Sequence, residues 1–64
     1  MIREKRLDMG MTQKELARKL RVDKSYISKI ENKQIKNISL NVVLKLSEIL
    51  DLDILKLIDF LEIK

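Results

Sequence analysis

Met11-Thr12-Gln13-Lys14-Glu15-Leu16-Ala17, and, after Arg18-Lys19-Leu20, Arg21-Val22-Asp23-Lys24-Ser25-Tyr26-Ile27, together decide the architecture of this chain. Thr12 is a favoured N-cap residue and Glu15 stands three positions later, so each side chain can satisfy the other's backbone N–H at a helix start. Met11, just before the cap, is spaced to staple onto Leu16. Val22 and Ile27 repeat that offset around Asp23, which starts a second helix after a link of only Arg21-Val22-Asp23. Two short helices joined by so tight a turn must cross steeply. Ala17 supplies a small side chain where such helices approach closely, although a generic helical bundle tolerates an alanine there as well.

The staple offset recurs at Ile38-Ser39 with Val43 and at Leu52-Asp53 with Leu57, marking two further helix starts. Each good cap contributes roughly 1 kcal/mol. Gly10, the only glycine, is the natural stop of a first helix, where a left-handed residue is wanted. The spacing predicts helices over Ile2–Met9, Gln13–Leu20, Lys24–Asn32, Leu40–Leu50 and Ile54–Leu61, with a polar loop at Lys33–Ile38. No segment alternates with period 2, so strands have no support. The expected fold is all-α: one compact five-helix domain over residues 1–64, with a helix-turn-helix at its second and third helices.

Composition narrows the function. A 64-residue chain without cysteine or histidine has no disulfide, thiolate nucleophile or histidine general base, and lacks the commonest metal ligands. Asp8, Asp23, Asp51, Asp53 and Asp59 fall at helix ends or on separate faces rather than in a metal-binding cluster. An enzyme is not expected, and neither is a cofactor or metal. Small domains need staples, and a partner subunit is the one remaining. Fourteen basic against ten acidic residues give a net charge of +4 and a pI near 9.6, which permits nucleic acid or an anionic surface as partner. No apolar run approaches the ~20 residues of a membrane span. Met1-Ile2-Arg3-Glu4-Lys5-Arg6 is not followed by the apolar core of a signal peptide, so a cytoplasmic protein is expected.

In the third helix Ile27 and Ile30 point inward, leaving Lys24, Ser25, Ser28, Lys29 and Asn32 outside. Lysine suits guanine O6 and N7, and serine donates to or accepts from either kind of base edge. A solvated helix face has the same composition. Its position directly after a tight turn favours groove reading. Gln13 opens the second helix, where free N–H groups and the positive dipole end favour a phosphate, or is simply a surface residue of good helix propensity. Tyr26 either lays its ring on a sugar-phosphate backbone or covers the edge of the core. Asp23 is expected to cap the third helix. On the fifth helix Ile54, Ile58 and Leu61 form one apolar stripe, while Leu57 and Phe60 begin another that continues to Ile63. One stripe covers the core, and an apolar face left in water marks an interface. A two-fold homodimer is therefore expected through Leu57, Phe60, Leu61 and Ile63, helped by the end of the fourth helix.

Thr12-Gln13-Lys14-Glu15-Leu16-Ala17 with Val22-Asp23-Lys24-Ser25-Tyr26-Ile27-Ser28-Lys29-Ile30-Glu31-Asn32 resembles the phage-repressor and Cro type of helix-turn-helix, the XRE family. Asn37-Ile38-Ser39-Leu40 and Leu50-Asp51-Leu52 resemble the fourth-helix region of the same family. Two subgroups share the Ser-Tyr-Ile-Ser-x-Ile-Glu string and a longer following loop: the controller proteins of restriction–modification systems and the small Sin-type developmental repressors. The resemblance implies a lambda-repressor-like fold and a cytoplasmic, sequence-specific DNA-binding regulator of transcription, a repressor or autoregulator acting as a homodimer on a palindromic operator. The alternative is a protein-interaction module that uses the same fold, such as an antitoxin or a developmental antagonist; a protein antagonist is a further candidate partner of the regulator.

By resemblance, Lys24, Ser25, Ser28 and Lys29 face bases, while Gln13, Tyr26, Asn32 and Lys33 hold the DNA backbone. Arg6, late in the first helix, pairs with Glu31, at the end of the third. The family often has glycine where Arg21, Lys33 and Asp51 stand. A left-handed arginine costs roughly 1–2 kcal/mol, so the turns are where this chain departs from the pattern.

Overall fold

A computed structural model describes residues 1–35 and 38–61, and among them are five helices and no strand. They are α1 (Ile2–Asp8), α2 (Gln13–Leu20), α3 (Lys24–Glu31), α4 (Leu40–Ile49) and α5 (Ile54–Leu61). The starts fall where the caps place them. Thr12 Oγ1 accepts from the Glu15 N–H at 3.1 Å while Glu15 Oε1 accepts from the Thr12 N–H at 3.1 Å. Ser39 Oγ accepts from the Val42 N–H at 3.3 Å, and Asp53 Oδ1 from the Leu55 N–H at 2.9 Å. Asp23 differs: it occupies the N-cap position of α3, yet its carboxylate makes no capping hydrogen bond.

Each staple has an anchored inner member, since Leu16, Ile27, Val43 and Leu57 are all buried. They join Ile2, Met11, Ala17, Leu20, Ile30, Leu46, Leu50 and Leu61 in one core. α2 packs chiefly on α3 and also touches α4, and α4 packs on α5. Ala17 is 3% exposed and belongs to the core.

The α5 face is where the sequence reading needs correction. Leu57 and Leu61 are buried in the monomer, so they are not surface available to a second copy. Positions four apart lie only about 40° apart around a helix, which puts these two on one face rather than on separate stripes. Ile54, Ile58 and Phe60 are half-buried beside that face, and Leu55 points away at 74% exposure. Ile63, also expected at an interface, lies outside the described residues.

The three positions where the family favours glycine retain its backbone conformation. Arg21, Lys33 and Asp51 have φ of 58°, 57° and 52°, and Gly10 has 71°. At the α2–α3 turn, Arg21 donates its N–H to Arg18 O at 3.2 Å, and Val22 donates to Ala17 O at 3.0 Å. These bonds close the last turn of α2 and keep Arg21 left-handed.

Two stability measurements follow. Arg21→Gly relieves the side-chain clash but adds chain entropy to the unfolded state, for a net gain of about 0.5–1 kcal/mol. The urea midpoint should rise at unchanged slope, and a fall would show that the arginine side chain outweighs its backbone strain. The Thr12 backbone N–H, and secondarily its hydroxyl, hold the exposed Glu15 carboxyl below the usual carboxylate range. A carboxyl whose folded value is depressed stabilises the fold above its unfolded value and loses that contribution as pH falls through the folded one. Glu15→Gln should therefore flatten the acid side of the stability profile, and a profile parallel to the parent's would mean the capping box is not formed in solution.

Candidate nucleic-acid interface

The site is built on α3, and α3 is held by charge as well as by its apolar face. Ile27 and Ile30 are each 1% exposed and fix the inner side of the helix. At its C-terminal end Glu31 meets Arg6 of α1. Arg6 Nε donates to Glu31 Oε2 at 2.6 Å, and Nη2 to Oε1 at 3.3 Å. The side chains are 7% and 3% exposed. Arg6 Nη1 donates to Met11 O at 2.8 Å, and Gln13 Nε2 donates to Glu31 Oε1 at 3.0 Å. A single carboxylate thus ties together α1, the entry to α2 and the end of α3. Two-pronged charge-assisted bonds of this kind fix orientation as well as distance.

The outward side chains divide into two groups. Lys24, Ser25 and Lys29 are exposed and Ser28 is half-buried. Among the described residues, the side chains of these four make no hydrogen bond or ion pair. The residues expected at a DNA backbone are instead engaged within the chain. Gln13 is held by Glu31, and Asn32 Nδ2 donates to Ser28 O at 2.9 Å. The Lys33 ammonium lies 4.6 Å from the centre of the Phe60 ring. Tyr26 is half-buried against the core, with part of its surface still outside.

One feature of this face was not anticipated. Lys14, Ala17, Arg18, Val22, Asp23 and Lys24 line an open cleft of about 490 Å³ beside the first turn of α3. Lys14 and Arg18 are four apart on α2 and so share a side of it. That spacing was available in the sequence, but their position beside Lys24 depends on the crossing of α2 and α3. Among the described residues, no group of three or more potential metal ligands is brought together, and no helix is long and apolar enough to cross a membrane.

Two helices crossing at a three-residue turn, with the second presenting an uncommitted basic and hydroxyl-bearing face, define a helix-turn-helix DNA-binding domain. A sequence model of the helix-turn-helix family matches residues 2–57, and the chain belongs to that family, in its XRE branch. The family is one of DNA-binding transcriptional regulators rather than of enzymes. No curated protein and no solved structure matches the chain.

Breaking the buried pair from one side tests how α3 is mounted. Arg6→Ala strands the Glu31 carboxylate and leaves the Met11 carbonyl without its donor. This should cost about 3–5 kcal/mol, read as a fall of many degrees in the thermal midpoint. A variant melting within a degree or two of the parent would mean the pair is solvated and α3 is held by Ile27 and Ile30 alone.

Proposed function

We propose that this protein is a cytoplasmic repressor or autoregulator that binds a palindromic DNA operator as a homodimer, reading bases with the outer face of α3. The observation that carries this reading is the face itself: Lys24, Ser25, Ser28 and Lys29 stand outward, without side-chain partners among the described residues, on a helix locked from behind by the Arg6–Glu31 pair. In a major groove the N-terminal half of α3 points at the bases. Lys24 and Lys29 then serve as guanine readers, and Ser25 and Ser28 are short enough to lie against base edges. Gln13, Tyr26, Asn32 and Lys33 hold the sugar-phosphate backbone and set the register, contributing affinity without sequence information.

The dimer reading draws on exposed apolar side chains of α4 and α5. Leu40 and Leu44, one turn apart on α4, are 64% and 39% exposed, and Leu55 on α5 is 74% exposed. Exposed leucines in so small a fold suit an interface, and Phe60 is proposed to take part in it. A two-fold pair would meet half-sites about 34 Å apart, one turn of the duplex.

Selection from random duplex pools tests the specificity, with enrichment of one palindrome expected. Affinities are then measured on that site and on scrambled DNA over a range of salt. Lys24→Ala or Lys29→Ala should cost about 1–3 kcal/mol and relax the preference at one operator position. Lys33→Ala should weaken all sequences alike and lower the salt slope by about one. Equal losses on both DNAs for the Lys24 and Lys29 variants would reduce α3 to an electrostatic handle and remove it as the reader.

A further inference from the structure

Lys33 is fixed at its base by the end of α3. Its own N–H donates to Ile30 O at 3.2 Å, and the next residue, Gln34, donates to Lys29 O at 2.8 Å. With φ at 57°, the side chain leaves the helix in a direction that a right-handed residue does not provide. At its tip, the ammonium lies over the Phe60 ring. Phe60 is itself fixed, because Leu57 and Leu61 on either side of it in α5 are 0% and 7% exposed. A lysine is ordinarily a flexible stem that samples many rotamers, and this one is held at both ends.

We propose that Phe60 is a positioning residue for DNA binding, its ring holding the Lys33 ammonium ready for a phosphate. The inference rests on the reading of Lys33 as a phosphate contact. An ammonium carries three N–H donors and the ring face meets it from one side, so donors remain for an oxygen anion on the other. Lys33 is an exposed residue. The ring attracts the cation through its quadrupole without neutralising it, so the charge still acts on the phosphate. Prior ordering of the stem reduces the rotamer freedom lost when DNA binds. A residue on α5, far along the chain from α3, thereby contributes to affinity without touching DNA.

The test is a double-mutant cycle on the full chain, with binding to a mixed-sequence duplex followed by fluorescence anisotropy at low salt. Phe60→Leu should lower affinity about two- to five-fold, the range of an exposed cation–π contact. Phe60→Tyr, which keeps the ring, should bind like the parent. In a Lys33→Ala background, Phe60→Leu should change nothing further, because a ring acting only through the ammonium then has nothing to hold. An equal loss from Phe60→Leu in both backgrounds would assign the effect to packing or assembly and overturn the proposal, as would tighter binding by Phe60→Leu, which would mean the ring withholds the charge. A loss with Lys33→Ala but none with Phe60→Leu would overturn the positioning role and leave the phosphate contact standing. No loss with Lys33→Ala would overturn the phosphate contact itself, and the positioning role with it.

Discussion

Burying a guanidinium and a carboxylate between α1 and α3 removes both from water, and everything around them is arranged so that neither is left incomplete. Arg6 reaches Glu31 with two nitrogens and the Met11 carbonyl with the third, while Glu31 takes a further bond from Gln13. A buried pair adds little stability over a well-packed apolar one, but it is intolerant of misplacement because a displaced charge is stranded. This suits a recognition helix. Ile27 and Ile30 decide which side of α3 faces inward, but apolar contact alone resists rotation and sliding weakly. The ion pair adds direction to the attachment.

The same economy extends to the surface around α3. Gln13, Asn32 and Lys33 have internal partners at the rim of α3, whereas Lys24, Ser25, Ser28 and Lys29 at its face have none among the described residues. Side chains that contact a uniform backbone gain from being ordered in advance, because every duplex presents phosphates at similar spacing. Side chains that read bases gain from adjusting to the edge they meet. In this small domain the core therefore extends, through polar and cation–π contacts, into the surface around α3.

The helix starts were legible because capping and stapling are local, contained within six residues at Met11–Leu16 or Leu52–Leu57. Boundaries shifted by a single residue at the ends of α1, α3 and α4, where helices fray into looser turns. The inner face of α5 was harder to read. With Ile54, Leu55, Leu57, Ile58, Phe60 and Leu61 all apolar, the pattern supports several rotations of the helix, and only packing on α4 selects the one that buries Leu57 and Leu61. The Lys33–Phe60 contact joins residues distant in the chain and leaves no local signal. The missing Asp23 capping bond marks a different limit: a carboxylate at the right position still has other rotamers available, and α3 starts without its help.

Arg21 and Lys33, the two left-handed residues that bracket α3, each place a positive charge where glycine would place none. The backbone strain at the two turns is thus coupled to the long-range field around α3. With Lys24 and Lys29 between them, these two charges add to the positive charge along α3 that would attract a polyanion. Such a field increases the rate of encounter and orients the approach, and it fades as ionic strength shortens the screening length toward 8 Å in physiological salt. On the proposed reading, a turn residue that strains the resting fold would thereby also influence how fast the protein finds its duplex.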